Sequence, residues 1–111
     1  EGVKLTPYFE GERTPNLPDA TATIEGLRIG TGTRENIARA SIEGMLRGLG
    51  VGKEILESNG FTINKIFLIG GAAANPAVQQ IAREIFGAGL TVPKANEYVA
   101  LGAARQAASL L

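Results

Sequence analysis

The chain has 111 residues, of which 44% are apolar and 20% charged, a composition that favours one soluble globular domain with a modest core. Eleven basic residues balance eleven acidic ones, so we expect no nucleic-acid partner, and without an apolar run of roughly 20 residues we expect no membrane span. Cysteine and histidine are both absent, which excludes disulfides, thiolate metal sites and imidazole catalysis within the chain and is compatible with a cytoplasmic setting.

Residues 1–20 are predicted to form an extended arm. They lack helical periodicity and contain three of the five prolines, Pro7, Pro15 and Pro18. The chain also opens on Glu1 rather than methionine, which suggests a piece of a longer protein. We expect the arm to pack on another part of that parent, with disorder as the alternative, and residues 21–111 to form the domain proper.

A long helix is predicted from Arg34 to about Ser58, capped by Thr33. Before it, residues 22–29 are an edge strand or a loop, and residues 30–33 are a loop that leads into the cap. Three glycines between positions 48 and 52 weaken the helix, so one long helix and two shorter ones are both consistent with the pattern. Helical spacing assigns the buried stripe to Ala38, Ile42, Met45 and Leu49.

A second face of this helix carries a charge at every fourth residue. The repeat alternates in sign through Glu35, Arg39, Glu43 and Arg47. Opposite charges at this spacing pair along a helix surface. We therefore interpret the face as a solvated ion-pair ladder rather than as part of a site.

The second half of the chain predicts a β-α-β unit. Residues 66–69 form an apolar run, predicted as a strand buried on both faces, and residues 90–92 are a second short strand. Between them, residues 76–86 have the spacing of an amphipathic helix that ends at Gly87. A crossover of this kind makes the two strands parallel, with a right-handed connection.

A final helix is predicted from Glu97 to about Ser109, with Asn96 as its cap. Its composition is rich in alanine, and Gly102 indicates close packing on the sheet. The inner face is assigned to Val99, Ala100, Ala103 and Ala107.

The most informative segment is the turn between the first strand of this unit and its helix, residues 70–76. Gly70 and Gly71 allow backbone angles and close approaches that a side chain blocks. Asn75 can cap the helix, and Pro76 suits its first position. Such turns bind ligands at the carboxyl ends of strands in α/β sheets, although a ligand-free connection explains the residues equally well. The spacing matches neither a P-loop nor a dinucleotide fingerprint.

Four segments in this order resemble the carboxyl-terminal domain of the FGGY carbohydrate kinases. Residues 7–15, with Gly11-Glu12-Arg13-Thr14-Pro15, resemble the arm of xylulokinase-like members. Residues 22–43 are similar to the family's second signature, with its spacing intact. The turn 70–75 and the segment 97–104 resemble its glycine turn and closing helix. Together these segments cover most of the chain.

The resemblance implies an α/β fold of the actin-like ATPase, ribonuclease-H-like type, of which this chain would be a partial carboxyl-terminal domain. ATP or ADP would be bound by Gly71 and Asn75, with Gly70 and Ala72 as flanking contacts. The ligands of Mg²⁺, the catalytic aspartate and most sugar contacts would lie outside the chain, so the isolated chain is expected to be inactive. Dimers are frequent in the family, which makes a homodimer of the full-length protein one option.

The implied reaction is transfer of the γ-phosphoryl group of ATP to D-xylulose in the cytoplasm. One alternative keeps the family and changes the substrate to glycerol, ribulose or gluconate. A second is a non-catalytic α/β packing or interaction module, which would bind no nucleotide. A third is a regulator from the actin-like superfamily.

Overall fold

The computed structural model describes residues 2–94 and 97–110. The elements are, in chain order, β1 (Lys4–Thr6), β2 (Thr23–Glu25), α1 (Arg34–Ser58), β3 (Ile66–Phe67), a 3₁₀ turn (Gly71–Ala74), α2 (Pro76–Phe86), β4 (Leu90–Thr91) and α3 (Tyr98–Ala108). The chain divides into two compact units, Glu1–Thr62 and Ile63–Leu111. Across the described ranges, none of the helices is long and apolar enough to cross a membrane.

The first unit is built on the antiparallel pairing of β1 with β2. The register places Lys4 opposite Glu25 and Thr6 opposite Thr23. The strand interpretation of residues 22–29 is therefore confirmed, over three residues. The strand at the beginning of the arm was not foreseen by sequence analysis, and the docking of the arm on a parent protein stays a prediction.

The face of α1 that contacts β1 carries small residues, and the predicted buried stripe is wrong. Ala40, Gly44 and Leu46 are the buried residues of α1. Of the predicted stripe, Met45 and Leu49 are 53% and 65% exposed, Ala38 is exposed and Ile42 only half-buried. A β-carbon added to Gly44 would overlap the carbonyl oxygen of Leu5, so the strand lies where the helix has no side chain. Close backbone approach, rather than apolar size, selects the buried face.

Helix α1 runs unbroken through its three glycines. The hydroxyl of Thr33 accepts a hydrogen bond from the backbone N–H of Asn36 at 3.2 Å, which confirms the predicted cap. The ion-pair interpretation is confirmed for three of its four residues, because Glu43 contacts Arg39 at 2.7 Å and Arg47 at 3.9 Å. These pairs are largely exposed, so each contributes little to stability.

The second unit contains the predicted parallel pair, with Ile66 opposite Leu90 in the register of β3 and β4. The apolar stripe of α2 is confirmed, since Val78, Ile81 and Ala82 are buried. The prediction that the first strand is buried on both faces is wrong, because Phe67 is 60% exposed. Helix α2 packs beside a sheet of only two described strands, which leaves the other face open.

The predicted inner face of the last helix is also wrong. None of the described residues of α3 is buried, and Val99 is 84% exposed. A β-carbon on Gly102 would meet no described atom within 4 Å, so no close packing occurs there. Alanine side chains bury little apolar area, which gives this helix little to gain from a narrow sheet. The predicted cap Asn96 lies outside the described residues.

The contact at Gly44 predicts opposite effects for two glycine substitutions in α1. Gly44→Ala should lower the free energy of unfolding by about 1–3 kcal/mol, because the new methyl group forces β1 off the helix. The matched control Gly48→Ala meets open space and should raise it by about 0.5–1 kcal/mol through helix propensity. Urea denaturation followed by helical circular dichroism measures both. Equal effects at the two positions would contradict the assigned contact.

Candidate functional site

The glycine turn begins where β3 ends. Residue 70 has φ of 105°, a conformation that residues with a side chain rarely adopt, so glycine is required there. A 3₁₀ turn follows, in which the N–H of Ala73 donates to the carbonyl of Gly70 at 3.1 Å and that of Asn75 to Ala72 at 3.0 Å. Ala73 is buried, whereas Gly71 and Ala72 are exposed. The turn thus presents bare backbone on its outer side.

Asn75 closes the turn and starts α2. Its side-chain oxygen Oδ1 accepts a hydrogen bond from the backbone N–H of Ala77 at 2.9 Å, and Pro76 occupies the first helical position. The predicted cap is therefore confirmed. Asn75 is exposed, and its Nδ2 group has no hydrogen-bond partner among the described residues. An amide donor is thus left available to a ligand.

A cavity of about 550 Å³ opens beside this turn, within the second unit. Gly70 and Gly71 line it, whereas Ala72 and Asn75 belong to the same turn but not to the lining. The role of these four predicted residues as nucleotide contacts stays a prediction. The other lining residues are Leu68, Ile69, Ala73, Ala74, Gln79, Arg83, Val92, Pro93, Lys94, Glu97 and Tyr98.

Gly71 is not explained by packing within the chain. A β-carbon at this position would meet no described atom within 4 Å, and its backbone lacks the positive φ of Gly70. Nothing in the described protein therefore requires glycine at residue 71. A flat ligand lying against the backbone would require it, because a side chain would occupy its space.

The polar groups of the cavity wall were not among the predicted site residues. Gln79 and Arg83 lie one helical turn apart on α2, and their i, i+4 spacing beside the apolar stripe is a signal that could have found them. Lys94 and Tyr98 reach the cavity only because of the chain path after β4, which local pattern does not encode. Arg83 and Lys94 bring positive charge, and Glu97 negative charge, to a wall of mixed polar and apolar character.

The described residues contain no group of three or more histidine, cysteine, aspartate or glutamate side chains that could hold a metal ion. Asp19, the single aspartate of the sequence, is exposed in the arm. The location of Mg²⁺ ligands outside this chain stays a prediction.

The family model and the similar proteins of known function indicate the same family. The model of the FGGY family of carbohydrate kinases, C-terminal domain, matches residues 1–111. A xylulose kinase of Streptomyces rubiginosus is 41% identical over 111 residues, which are 99% of this chain and 23% of that protein.

Two solved structures extend the comparison. The xylulose kinase from Bifidobacterium adolescentis is 50% identical, with a TM-score of 0.80 over 96% of this chain and 21% of that one. Plasmodium falciparum glycerol kinase with ADP is 29% identical, with a TM-score of 0.74 over 93% of this chain and 21% of that one. Sequence and structure therefore point to the same class of protein.

A parallel β-α-β unit whose crossover begins with a bare turn and a capped helix is typical of ligand-binding α/β domains. This chain belongs to the FGGY family of carbohydrate kinases, as its C-terminal domain. The predicted actin-like ATPase fold is confirmed, in the form of a partial C-terminal domain. The chain spans about a fifth of the length of these relatives.

The cap at Asn75 predicts that two substitutions differ in stability. Asn75→Ala removes the acceptor for the N–H of Ala77 and should lower the free energy of unfolding by about 1 kcal/mol. Asn75→Asp keeps an acceptor at the positive end of α2 and should leave stability nearly unchanged. Urea denaturation of the two variants measures this difference. An equal loss in both would show that the cap does not depend on the side-chain oxygen.

Proposed function

We propose that this chain is the adenine-nucleotide-binding part of a cytoplasmic, ATP-dependent carbohydrate kinase that phosphorylates D-xylulose. The observation that carries the proposal is the turn at Gly70 and Gly71, which faces a cavity of about 550 Å³ with bare backbone. This volume lies within the usual range for small-molecule and cofactor sites.

The wall of the cavity fits the chemistry of an adenine nucleotide. Leu68, Ile69 and Val92 offer apolar surface to a flat base, and the backbone at Gly71 allows it to approach closely. The two cations Arg83 and Lys94 outnumber the single carboxylate of Glu97 in the lining, which favours a polyanionic ligand. The ADP in the related glycerol kinase structure supports the same ligand class.

The chain's contribution to phosphoryl transfer would be to bind and orient the nucleotide. Such reactions depend on positioning and on neutralising charge, and bound Mg²⁺ would supply part of that neutralisation. The described residues hold no acidic cluster for that ion, so its ligands and the base that takes the sugar proton belong to other parts of the parent protein in this proposal. The isolated chain would accordingly not phosphorylate a sugar.

The choice of D-xylulose rests on similarity. Two xylulose kinases match this chain at 41% and 50% identity, whereas two glycerol kinases match it at 37% and 29%. The second candidate substrate is therefore glycerol. Ribulose and gluconate are the remaining alternative substrates to be tested.

The nucleotide site is tested by filling the space at Gly71 in the full-length kinase. Gly71→Val should raise the KM for ATP at least tenfold and leave the KM for the sugar unchanged, because the new side chain takes the ligand's place. Asn75→Asp keeps the helix cap but replaces the Nδ2 donor, and should also raise the KM for ATP. Steady-state kinetics with each substrate varied in turn measure these effects.

The matched control for the valine substitution is Gly52→Val, at a helical glycine that also faces open space. It should leave both KM values unchanged. If Gly71→Val also leaves the KM for ATP unchanged, the turn does not bind the nucleotide and the proposal of an interaction module gains support.

The substrate is tested with the same full-length enzyme and a panel of D-xylulose, D-ribulose, glycerol and D-gluconate. ATP consumption coupled to ADP detection should give a kcat/KM for D-xylulose at least a hundredfold above the others. A higher value for glycerol would keep the nucleotide site and replace the substrate. If the protein binds ADP but phosphorylates none of these four substrates, the alternative of a regulator from the actin-like superfamily is favoured.

A further inference from the structure

We infer that Gln79 is a positioning residue that holds the glycine turn in its nucleotide-binding conformation. The inference rests on the proposed function, because it concerns the same turn. The side-chain Nε2 of Gln79 donates a hydrogen bond to the carbonyl oxygen of Ala73 at 2.8 Å. Gln79 is half-buried and lines the cavity, so this bond connects the cavity wall on α2 with the turn.

The carbonyl of Ala73 depends on this side chain. The next residues cannot serve it as they would in a continuous helix, because Pro76 has no N–H and the N–H of Ala77 donates to Asn75. No backbone N–H of the described residues donates to this oxygen. Ala73 is only 6% exposed, so solvent has little access to the residue. A buried acceptor left without a partner is unfavourable, which makes the bond from Gln79 costly to lose.

The bond also fixes the turn relative to a rigid element. Two backbone hydrogen bonds close the 3₁₀ turn on itself, and the backbone N–H of Gln79 holds its last residue, Asn75, at 3.1 Å, but the carbonyl of Ala73 in the middle of the turn is joined to α2 only through the side chain of Gln79. Helix α2 is anchored by the buried side chains Val78 and Ile81, which flank Gln79 in sequence. The amide of Gln79 therefore sets where the backbone at Gly71 stands against the cavity. A displaced turn would weaken nucleotide binding without altering the sugar site.

The test replaces the amide donor at constant shape in the full-length kinase. Gln79→Glu keeps the size of the side chain, but an ionised carboxylate has no hydrogen to donate, and it can pair with Arg83 one turn along α2. We expect the KM for ATP to rise about two- to tenfold, the effect of one net hydrogen bond, with the KM for the sugar unchanged. Gln79→Lys restores a donor and should keep the KM for ATP within about twofold of the wild type.

The matched control is Gln106→Glu, the same substitution at an exposed position on α3. It should leave both KM values unchanged. Amide hydrogen exchange supplies a second readout, because exchange at Ala73 and Asn75 should accelerate in Gln79→Glu and remain slow in Gln79→Lys. Gln79→Met, which is uncharged and lacks a donor, separates the lost hydrogen bond from the added charge and should raise the KM for ATP as Gln79→Glu does; it also takes the place of the glutamate variant if that variant does not fold.

Three outcomes would overturn the inference. An unchanged KM for ATP in Gln79→Glu, beside a raised one in Gly71→Val, removes the role of Gln79 and leaves the nucleotide site standing. Equal losses for ATP and sugar, with a lowered Tm, assign Gln79 a general structural role only. An unchanged KM for ATP in Gly71→Val shows that the proposed function itself is wrong, and the inference about Gln79 fails with it.

Discussion

The hydrogen bond from the N–H of Ala77 to Oδ1 of Asn75 is the interaction on which the second unit depends. It ends the 3₁₀ turn and begins α2 at one residue, so turn and helix share a fixed boundary. Because α2 begins there, its apolar stripe falls on the side that packs beside β4. The cavity lining then combines residues of the turn, of this helix and of the segment that follows β4. A shift of this boundary by one residue would rotate the stripe by about 100°.

The first unit is organised by a different constraint, the absence of a side chain at Gly44. The backbone of β1 approaches α1 closely at this glycine, and β2 pairs with β1. The helix consequently buries Ala40 and Gly44 beside Leu46, whereas Met45 and Leu49 are exposed. In each unit one residue with little apolar area determines how the elements pack. It is Gly44, which has no side chain, in the first unit, and Asn75, which caps α2, in the second.

The parts of the fold that depend on local chemistry could be predicted from the sequence. Both bounds of α2 and the first residue of α1 were predicted, because Thr33 and Asn75 are caps and Gly87 is a stop, whereas the end of α1 was placed only at about Ser58 and a break at its glycines was left open. The parallel pairing of β3 and β4 could also be predicted, because two short strands joined by a helix in a β-α-β crossover run in the same direction. The glycine turn was located for the same reason.

The parts that failed depend on contacts distant in sequence. Helical spacing identifies an apolar stripe. It does not reveal that β1, which is distant in sequence, packs its backbone against α1 at Gly44. Likewise the alanines of α3 have helical spacing, but their side chains offer too little apolar area to stabilise packing against the sheet. At the candidate site, the turn was visible in sequence, whereas the bond from Gln79 to Ala73 depends on side-chain direction and on the loss of an N–H at Pro76.

The outward face of α1 has a practical consequence for spectroscopy. Met45 is the single methionine of the chain and lies on that face, 53% exposed. Isotope labelling of the methionine methyl group in this chain therefore yields one resonance, whose chemical shift and relaxation report on the surroundings of the helix face. Solvent-exposed thioethers are also readily converted to sulfoxides, so the same atom provides a mass-spectrometric measure of how fully that face is covered.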